Sequence, residues 1–189
     1  MRVIAGKFRS RRLRSLPGLD LRPTADRLRE TLFNVLTAGN PLALEDTVWF
    51  DLYAGTGAVG IEALSRGASM VHFVESSVQA AELIKENLSS LGISTGFQIL
   101  KQDSIRTLRG LESGGTAADF IFLDPPYEQE KAYAQTLSSL ARSSVLKPET
   151  IVIAEHRKKI DPGQDFGTLH RYRQLAQGDA ALSFYRKAQ

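Results

Sequence analysis

Apolar residues recur along the chain in two alternating rhythms, and that alternation predicts the architecture. Short apolar runs read as buried strands: Val48-Trp49-Phe50, Met70-Val71-His72-Phe73-Val74, 97–102, 118–123 and 150–155. Between them, apolar positions return every three or four residues, the spacing of a helix face. Ala25, Leu28, Leu32, Val35 and Leu36 form one such stripe, and Ala80, Ala81, Ile84, Leu88 and Leu91 form another. Shorter helical patterns fill 58–66, 104–111 and 128–143. Stops and starts agree: Thr24 after Pro23 and Ser76 or Ser77 are placed to cap helices, and Gly39, Gly67 and Gly92 to end them. Residues 2–22 read as a short hairpin or extended arm punctuated by Pro17-Gly18, and 169–185 as an antiparallel pair at the sheet edge. Strands alternating with helices predict an α/β, doubly wound, mostly parallel sheet.

Composition adds bounds. A chain of 189 residues with 42% hydrophobic and 24% charged residues fits one globular domain. No apolar run approaches the roughly 18 residues of a membrane span, and Met1–Lys7 lacks the apolar centre of a signal peptide. A monomeric, cytoplasmic protein is expected. With no cysteine, the chain has no thiol nucleophile and no thiolate metal site, and no metal is expected. Charge is divided unevenly. Arg2, Lys7, Arg9, Arg11, Arg12 and Arg14 give residues 1–19 a charge of +6, so the net +3 leaves −3 on the other 170 residues. A basic arm on a slightly acidic body points to a localised polyanion contact. Val3-Ile4-Ala5, Leu13, Leu16 and Leu19 interleave with the charges, so the arm is expected to pack rather than trail as a solubilising tail. The domain division that follows is 1–22 for the arm and 23–189 for the α/β body.

Candidate chemistry gathers where strands end. Gly55-Thr56-Gly57-Ala58-Val59-Gly60 sits between the first strand and a helix start, the layout of a loop that brings backbone N–H groups to a ligand. By itself this pattern fits a dinucleotide and a methyl donor equally well. Four strands in succession end on an acid or on this loop: Asp51 with Gly55, Glu75, Asp103 and Asp124. A single such acid is commonly a helix cap; four at one edge of one sheet mark a binding edge. Glu75, fifteen residues past Gly60, is placed for two ribose hydroxyls. Asp51, four residues ahead of Gly55, would repel a pyrophosphate and attract an ammonium or sulfonium. The spacing therefore favours S-adenosylmethionine over NAD. Asp103 could accept from the adenine amine, or cap the helix at 104–111, or do both through different atoms.

Asp124-Pro125-Pro126-Tyr127 is the most specific tetrapeptide in the chain. Two prolines after a buried strand fix the backbone and remove two N–H donors, which leaves acceptors facing outward. The Asp124 carboxylate and the Pro125 carbonyl can then share one NH₂ group, while Tyr127 offers a ring on which a base can stack. Such an arrangement suits methylation of an exocyclic amine. An isolated Pro-Pro-Tyr would be only a rigid turn; following three other strand-end acids, it reads as a base site.

These stretches together resemble the RsmD family of bacterial 16S rRNA guanine-N2 methyltransferases. The resemblance rests on Arg2–Gly6 with its following basic segment, on the run from Arg22 to Asn34, and on Phe50–Gly57. It continues through Glu62–Ala68, Phe73-Val74-Glu75 and Asp124–Tyr127. It implies a seven-stranded, Rossmann-like class I methyltransferase sheet with an N-terminal β-hairpin arm that contacts RNA. It implies S-adenosylmethionine as cofactor and, as partner, 16S rRNA in an assembling small ribosomal subunit. By position, Asp51, Tyr53, Ala54, Gly55, Thr56, Gly57, Glu75, Ser76, Asp103 and Ser104 would line the cofactor, with Thr24 and Arg29 at its amino-acid end. Asp124, Pro125, Pro126 and Tyr127 would hold the guanine, and Lys7, Arg9, Arg11, Arg12 and Arg22 would meet the RNA.

Three other readings compete. A methyltransferase acting on adenine N6 or another exocyclic amine uses the same tetrapeptide, although the chain is small for a DNA enzyme with its own target-recognition domain. A non-catalytic RNA-binding assembly factor would need a broken donor loop or tetrapeptide, and both are intact. An NAD-dependent oxidoreductase conflicts with Asp51.

Overall fold

The computed structural model describes residues 1–15, 23–126 and 129–188, with only the backbone of 23–25. Among these residues five helices alternate with strands in the order α1 (Pro23–Leu36), β1 (Val48–Leu52), α2 (Ala58–Ser65), β2 (Met70–Val74), α3 (Val78–Ser90), β3 (Phe97–Leu100), α4 (Ser104–Ser113), β4 (Ala118–Leu123) and α5 (Glu130–Ala141). The chain then completes the sheet with β5 (Leu146–Arg157), β6 (Asp165–Phe166), β7 (Leu169–Gln177) and β8 (Ala180–Lys187).

All eight strands form one sheet in the order β3-β2-β1-β4-β5-β8-β7-β6. The pairs from β3 to β5 are parallel, and β8 inserts antiparallel between β5 and β7. The strand order reverses between β1 and β4, which opens a crevice at their carboxyl ends. Strand alternation sorts the core into two layers. Trp49 stacks between Phe33 and Phe120 on the side covered by α1, α2 and α3. Phe50 and Leu52 point the other way, against Leu108 of α4 and Tyr133 and Leu137 of α5. Each large side chain so buried contributes about 1.5–3 kcal/mol.

Several local details differ from the sequence-based expectation, each for a physical reason. The sheet has an eighth strand, because Asp165–Phe166 pairs with Leu169 and His170 across a turn in which Gly167 adopts φ +62°. Strand β5 runs on past Glu155 because β8 supplies hydrogen-bonding partners for His156 and Arg157. Helix α1 starts at Pro23, whose fixed φ suits the first helical position, so Thr24 lies inside the helix rather than at its N-cap. The arm is a hairpin, with Arg2 bridged to Arg12 and Ser10 N–H donating to the Val3 carbonyl at 2.9 Å. Its chain reversal falls at 7–10; Pro17-Gly18 lies outside the described residues. Ser77, rather than Ser76, caps α3 by accepting from Ala80 N–H. Among the described residues no helix is long and apolar enough to cross a membrane.

Candidate active site

The loop from β1 to α2 turns through three residues with positive φ: Tyr53 (+65°), Gly55 (+55°) and Gly57 (+77°). A side chain at Gly57 would crowd Ile84 at 3.2 Å, and one at Gly60 would strike Phe73 at 2.3 Å, so glycine lets α2 lie close on the sheet. Gly55 is different: a Cβ there meets nothing within 4 Å, so the backbone borders open space. Tyr53 accepts the strained conformation while its hydroxyl is tied to Thr136 Oγ1 at 2.8 Å. Its ring thus packs toward α5, and only its backbone belongs to the loop. Ala54 N–H donates to the Val74 carbonyl at 2.9 Å, and Thr56 is held by Met1 Sδ at 3.5 Å and by Asn87, which donates to its carbonyl at 3.0 Å.

Register gathers the acids. Leu52 is level with Val74 and with Leu123, and Leu123 with Ala154. The next residue on each strand therefore forms a row across the carboxyl edge: Glu75, Tyr53, Asp124 and Glu155. Asp51 lies two residues behind this row, buried, and accepts from Gly60 N–H at 2.9 Å. Burial pushes its carboxyl up to about 8; the Gly60 N–H opposes this, and the nearby Asp124 and Glu75 add to it. Burial likewise raises Asp124 to about 7. Glu155 rises well above the usual carboxylate range through burial first and Asp124 second, against the opposing charge of Arg29.

Glu75 places one oxygen on Gly55 N–H and the other on Ser77 N–H, both at 2.8 Å, and so fixes the glycine loop to the start of α3. Asp103 caps α4 by accepting from Ile105 and Arg106, both through Oδ1, so the cap does not engage Oδ2. Ser104 is buried beneath this turn, and Ser76 is exposed. The Pro126 carbonyl accepts from Gln129 N–H at 2.8 Å and helps start α5. Tyr127, Arg22 and the Thr24 side chain lie outside what is described.

Arg29 is buried and reaches toward the arm, with Nη2 donating to the Arg2 carbonyl at 2.5 Å and to Asp26 at 3.0 Å. Its Nε is buried with no hydrogen-bond partner among the described residues, 3.9 Å from Glu62. Lys7, Arg9, Arg11 and Arg12 are exposed on the hairpin, with Arg11 donating to the Ser90 carbonyl at 3.0 Å.

Two residues central to this geometry were not assigned roles from sequence. Glu62, fully buried in α2, accepts from Ile4 N–H at 2.7 Å and Ala5 N–H at 2.9 Å, and pairs with Arg66 at 2.8 Å. Its signals in the sequence were its place at the head of the family-like stretch Glu62–Ala68 and its being a lone acid in the apolar stretch Ala58–Ser65. Glu155 follows the strand-end pattern already noted for four other strands.

The donor set fits S-adenosylmethionine better than a pyrophosphate ligand. The open face of Gly55 gives room for a ligand, and Asp51, raised first by burial, is raised further by repulsion from Asp124 and Glu75. A ligand bearing an ammonium and a sulfonium would relieve that repulsion; one bearing two phosphates would add to it.

This strand order, with a glycine loop after β1, an acid closing β2 and an antiparallel strand inserted beside β5, defines a Rossmann-like methyltransferase fold. A family model described as Conserved hypothetical protein 95 matches residues 1–186. The chain belongs to this family, the RsmD family. It is 33% identical over 187 residues to the Putative rRNA methyltransferase YlbH of Bacillus subtilis, covering 99% of each chain. It is 36% identical over 159 residues to the Ribosomal RNA small subunit methyltransferase D of Haemophilus influenzae, covering 84% of this chain and 79% of that one. Among solved structures, the putative methyltransferase yhhF from Escherichia coli superposes with a TM-score of 0.83 at 27% identity, over 100% of this chain and 99% of that chain.

Proposed function

We propose that the chain is an S-adenosylmethionine-dependent methyltransferase acting on the exocyclic N2 amine of a guanine in 16S rRNA, within an assembling small ribosomal subunit in the cytoplasm. One observation carries this reading: the row of acids at the carboxyl edge, with Asp124-Pro125 set beside the glycine loop. When bound, S-adenosylmethionine supplies an electrophilic methyl group on a sulfonium. The chain's own residues orient and hold. Glu75 keeps the Gly55 backbone in place and offers its carboxylate to ribose hydroxyls. Asp51 supplies negative charge toward the cofactor's cationic end. Asp103 offers Oδ2 to an adenine amine, and Arg29 Nε is a donor for a carboxylate.

On the substrate side, the Asp124 carboxylate and the Pro125 carbonyl accept from the two N2 hydrogens. Because the Pro126 carbonyl is already engaged by Gln129, Pro125 is the proline whose carbonyl serves the amine. Two acceptors on one NH₂ favour a pyramidal nitrogen and free its lone pair for in-line attack, so positioning and preorganised charge supply the catalysis. The target base must leave its stack to reach Tyr127, which an exposed rRNA nucleotide permits. The site is built within one chain, so a monomer suffices.

Asp124→Ala should lower methyl transfer to small-subunit particles from cells lacking the protein by about 10²–10³-fold. Its affinity for S-adenosylmethionine, measured by calorimetry with NAD as control, should stay within a few-fold of wild type. Undiminished turnover would refute the amine clamp, and tight NAD binding without S-adenosylmethionine binding would refute the cofactor.

A further inference from the structure

Glu155 has no part in the chemistry just described, yet it stands next to the group that does the holding. Side chains alternate along a strand, so Glu155, two residues past the core residue Ile153, faces the α1 side of the sheet. Asp124, two residues past Phe122, faces the same way. With Leu123 level with Ala154, the two acids occupy neighbouring positions on neighbouring strands, about 4.8 Å apart in the sheet. Both are half-buried, and each lies within range of the other's charge.

What surrounds them is short of donors. Among the described residues no N–H or O–H donates to either carboxylate. The Tyr133 hydroxyl bonds the Glu155 main-chain carbonyl instead, at 2.8 Å. The cation acting on Glu155 is Arg29, whose Nη2 is already engaged by the Arg2 carbonyl and Asp26. Two adjacent half-buried acceptors without protein donors call for a ligand edge that presents donors side by side. Guanine has such an edge, with N1–H next to the N2 amine. Adenine and cytosine each place an acceptor ring nitrogen beside their amine, and that nitrogen would face an ionised Glu155 carboxylate with no proton between them.

Resting on the N2-methylation reading above, we propose that Glu155 is the specificity-determining residue of this site: its carboxylate accepts N1–H of the target guanine while Asp124 and Pro125 hold the N2 amine. Discrimination arises because the wrong base leaves a buried acceptor facing an acceptor. A site built on hydrogen bonds to its substrate rejects analogues lacking them by about 10²–10⁵-fold. Arg29 has a supporting part, since its charge favours the ionised form of Glu155 beside Asp124.

The test compares wild type with Glu155→Gln on small-subunit particles reconstituted with guanosine or 2-aminopurine riboside at the methylated nucleotide. The analogue keeps the reacting amine but has an acceptor at N1. Wild type should prefer guanosine by roughly 100-fold or more in kcat/KM. Glu155→Gln should narrow this to less than about tenfold, because the glutamine amide can donate to N1 of the analogue. Its affinity for S-adenosylmethionine should remain within about threefold of wild type, which separates base reading from damage to the fold. If Glu155→Gln is inactive on both particles, Glu155→Asp must restore transfer to guanosine and not to the analogue. An unchanged preference in Glu155→Gln, or equal losses on both bases in both variants, overturns the assignment. A wild-type protein that methylates neither particle instead overturns the parent reading, and the assignment with it.

Discussion

Asp51 shows how a single buried side chain is held in tension by this fold. Its folded-state pKa of about 8 lies above the ordinary 3.8, so the folded protein binds a proton that the unfolded chain releases. The contribution to stability is therefore complete below about pH 4 and is lost as pH rises toward 8, where a buried acid must ionise. Asp51→Asn keeps an acceptor for Gly60 N–H and removes that penalty. In thermal or denaturant unfolding of the ligand-free protein at pH 9, it should be more stable than wild type by roughly 1–3 kcal/mol, with the difference vanishing near pH 4. It should also bind S-adenosylmethionine more weakly. Equal stability at both pH values would show that the acid is not strained by its surroundings. The strand-end position of this residue, like those of Glu75, Asp103 and Asp124, was legible in the sequence, because a polar residue closing an apolar run marks the sheet edge. Its bond to Gly60 was not, since that depends on how closely α2 approaches β1. Glu155 was legible in the same way, as the acid closing 150–155; the continuation of that strand to Arg157 was not, because only the partner strand β8 reveals it.

The N-terminal hairpin is an element whose existence the sequence conveyed and whose anchoring it did not. Val3 and Leu13 bury their side chains, as the interleaved apolar positions predict. The decisive contacts, however, are polar and made by backbone groups, which leave no trace in a hydrophobic pattern. Ile4 and Ala5 donate to Glu62, Lys7 N–H donates to the Ser65 carbonyl at 2.7 Å, and Phe8 N–H donates to Ser65 Oγ at 3.0 Å. Gly6 is required there, because a Cβ would fall 1.8 Å from the Ser65 carbonyl oxygen. The hairpin thus grips α2, the same helix that opens from the glycine loop, and Glu62 also meets Arg66 and Arg29. Glu62→Gln leaves these cations without their buried counter-charge and should cost on the order of 3 kcal/mol. Amide hydrogen exchange at Ile4, Ala5, Lys7 and Phe8 should accelerate well beyond the rest of the molecule. Full protection of those four amides in the variant would show that the apolar contacts alone hold the arm.

Considered whole, the molecule separates its charges by task. Acids line the carboxyl edge of the sheet, and the exposed Lys7, Arg9, Arg11 and Arg12 stand on the docked hairpin. Neutralising Arg9, Arg11 and Arg12 together should weaken binding to small-subunit RNA and flatten its salt dependence. The expected change is roughly 0.7–0.9 log units per log unit of salt for each phosphate that the arm no longer neutralises. An unchanged slope would return the hairpin to a purely structural part. The order of strands and helices followed from the alternating rhythms of the chain; the register that brings Glu75, Asp124 and Glu155 level did not, because long-range pairing has no local signature. Methylation of a guanine amine at this edge is open to a direct test, mass mapping of modified nucleosides in 16S rRNA from cells with and without the protein. One N2-methylguanosine should disappear without it, return with the wild-type chain and stay absent with Asp124→Ala. An unchanged N2-methylguanosine content, or the loss of a methylated adenine instead, would contradict guanine methylation at this edge.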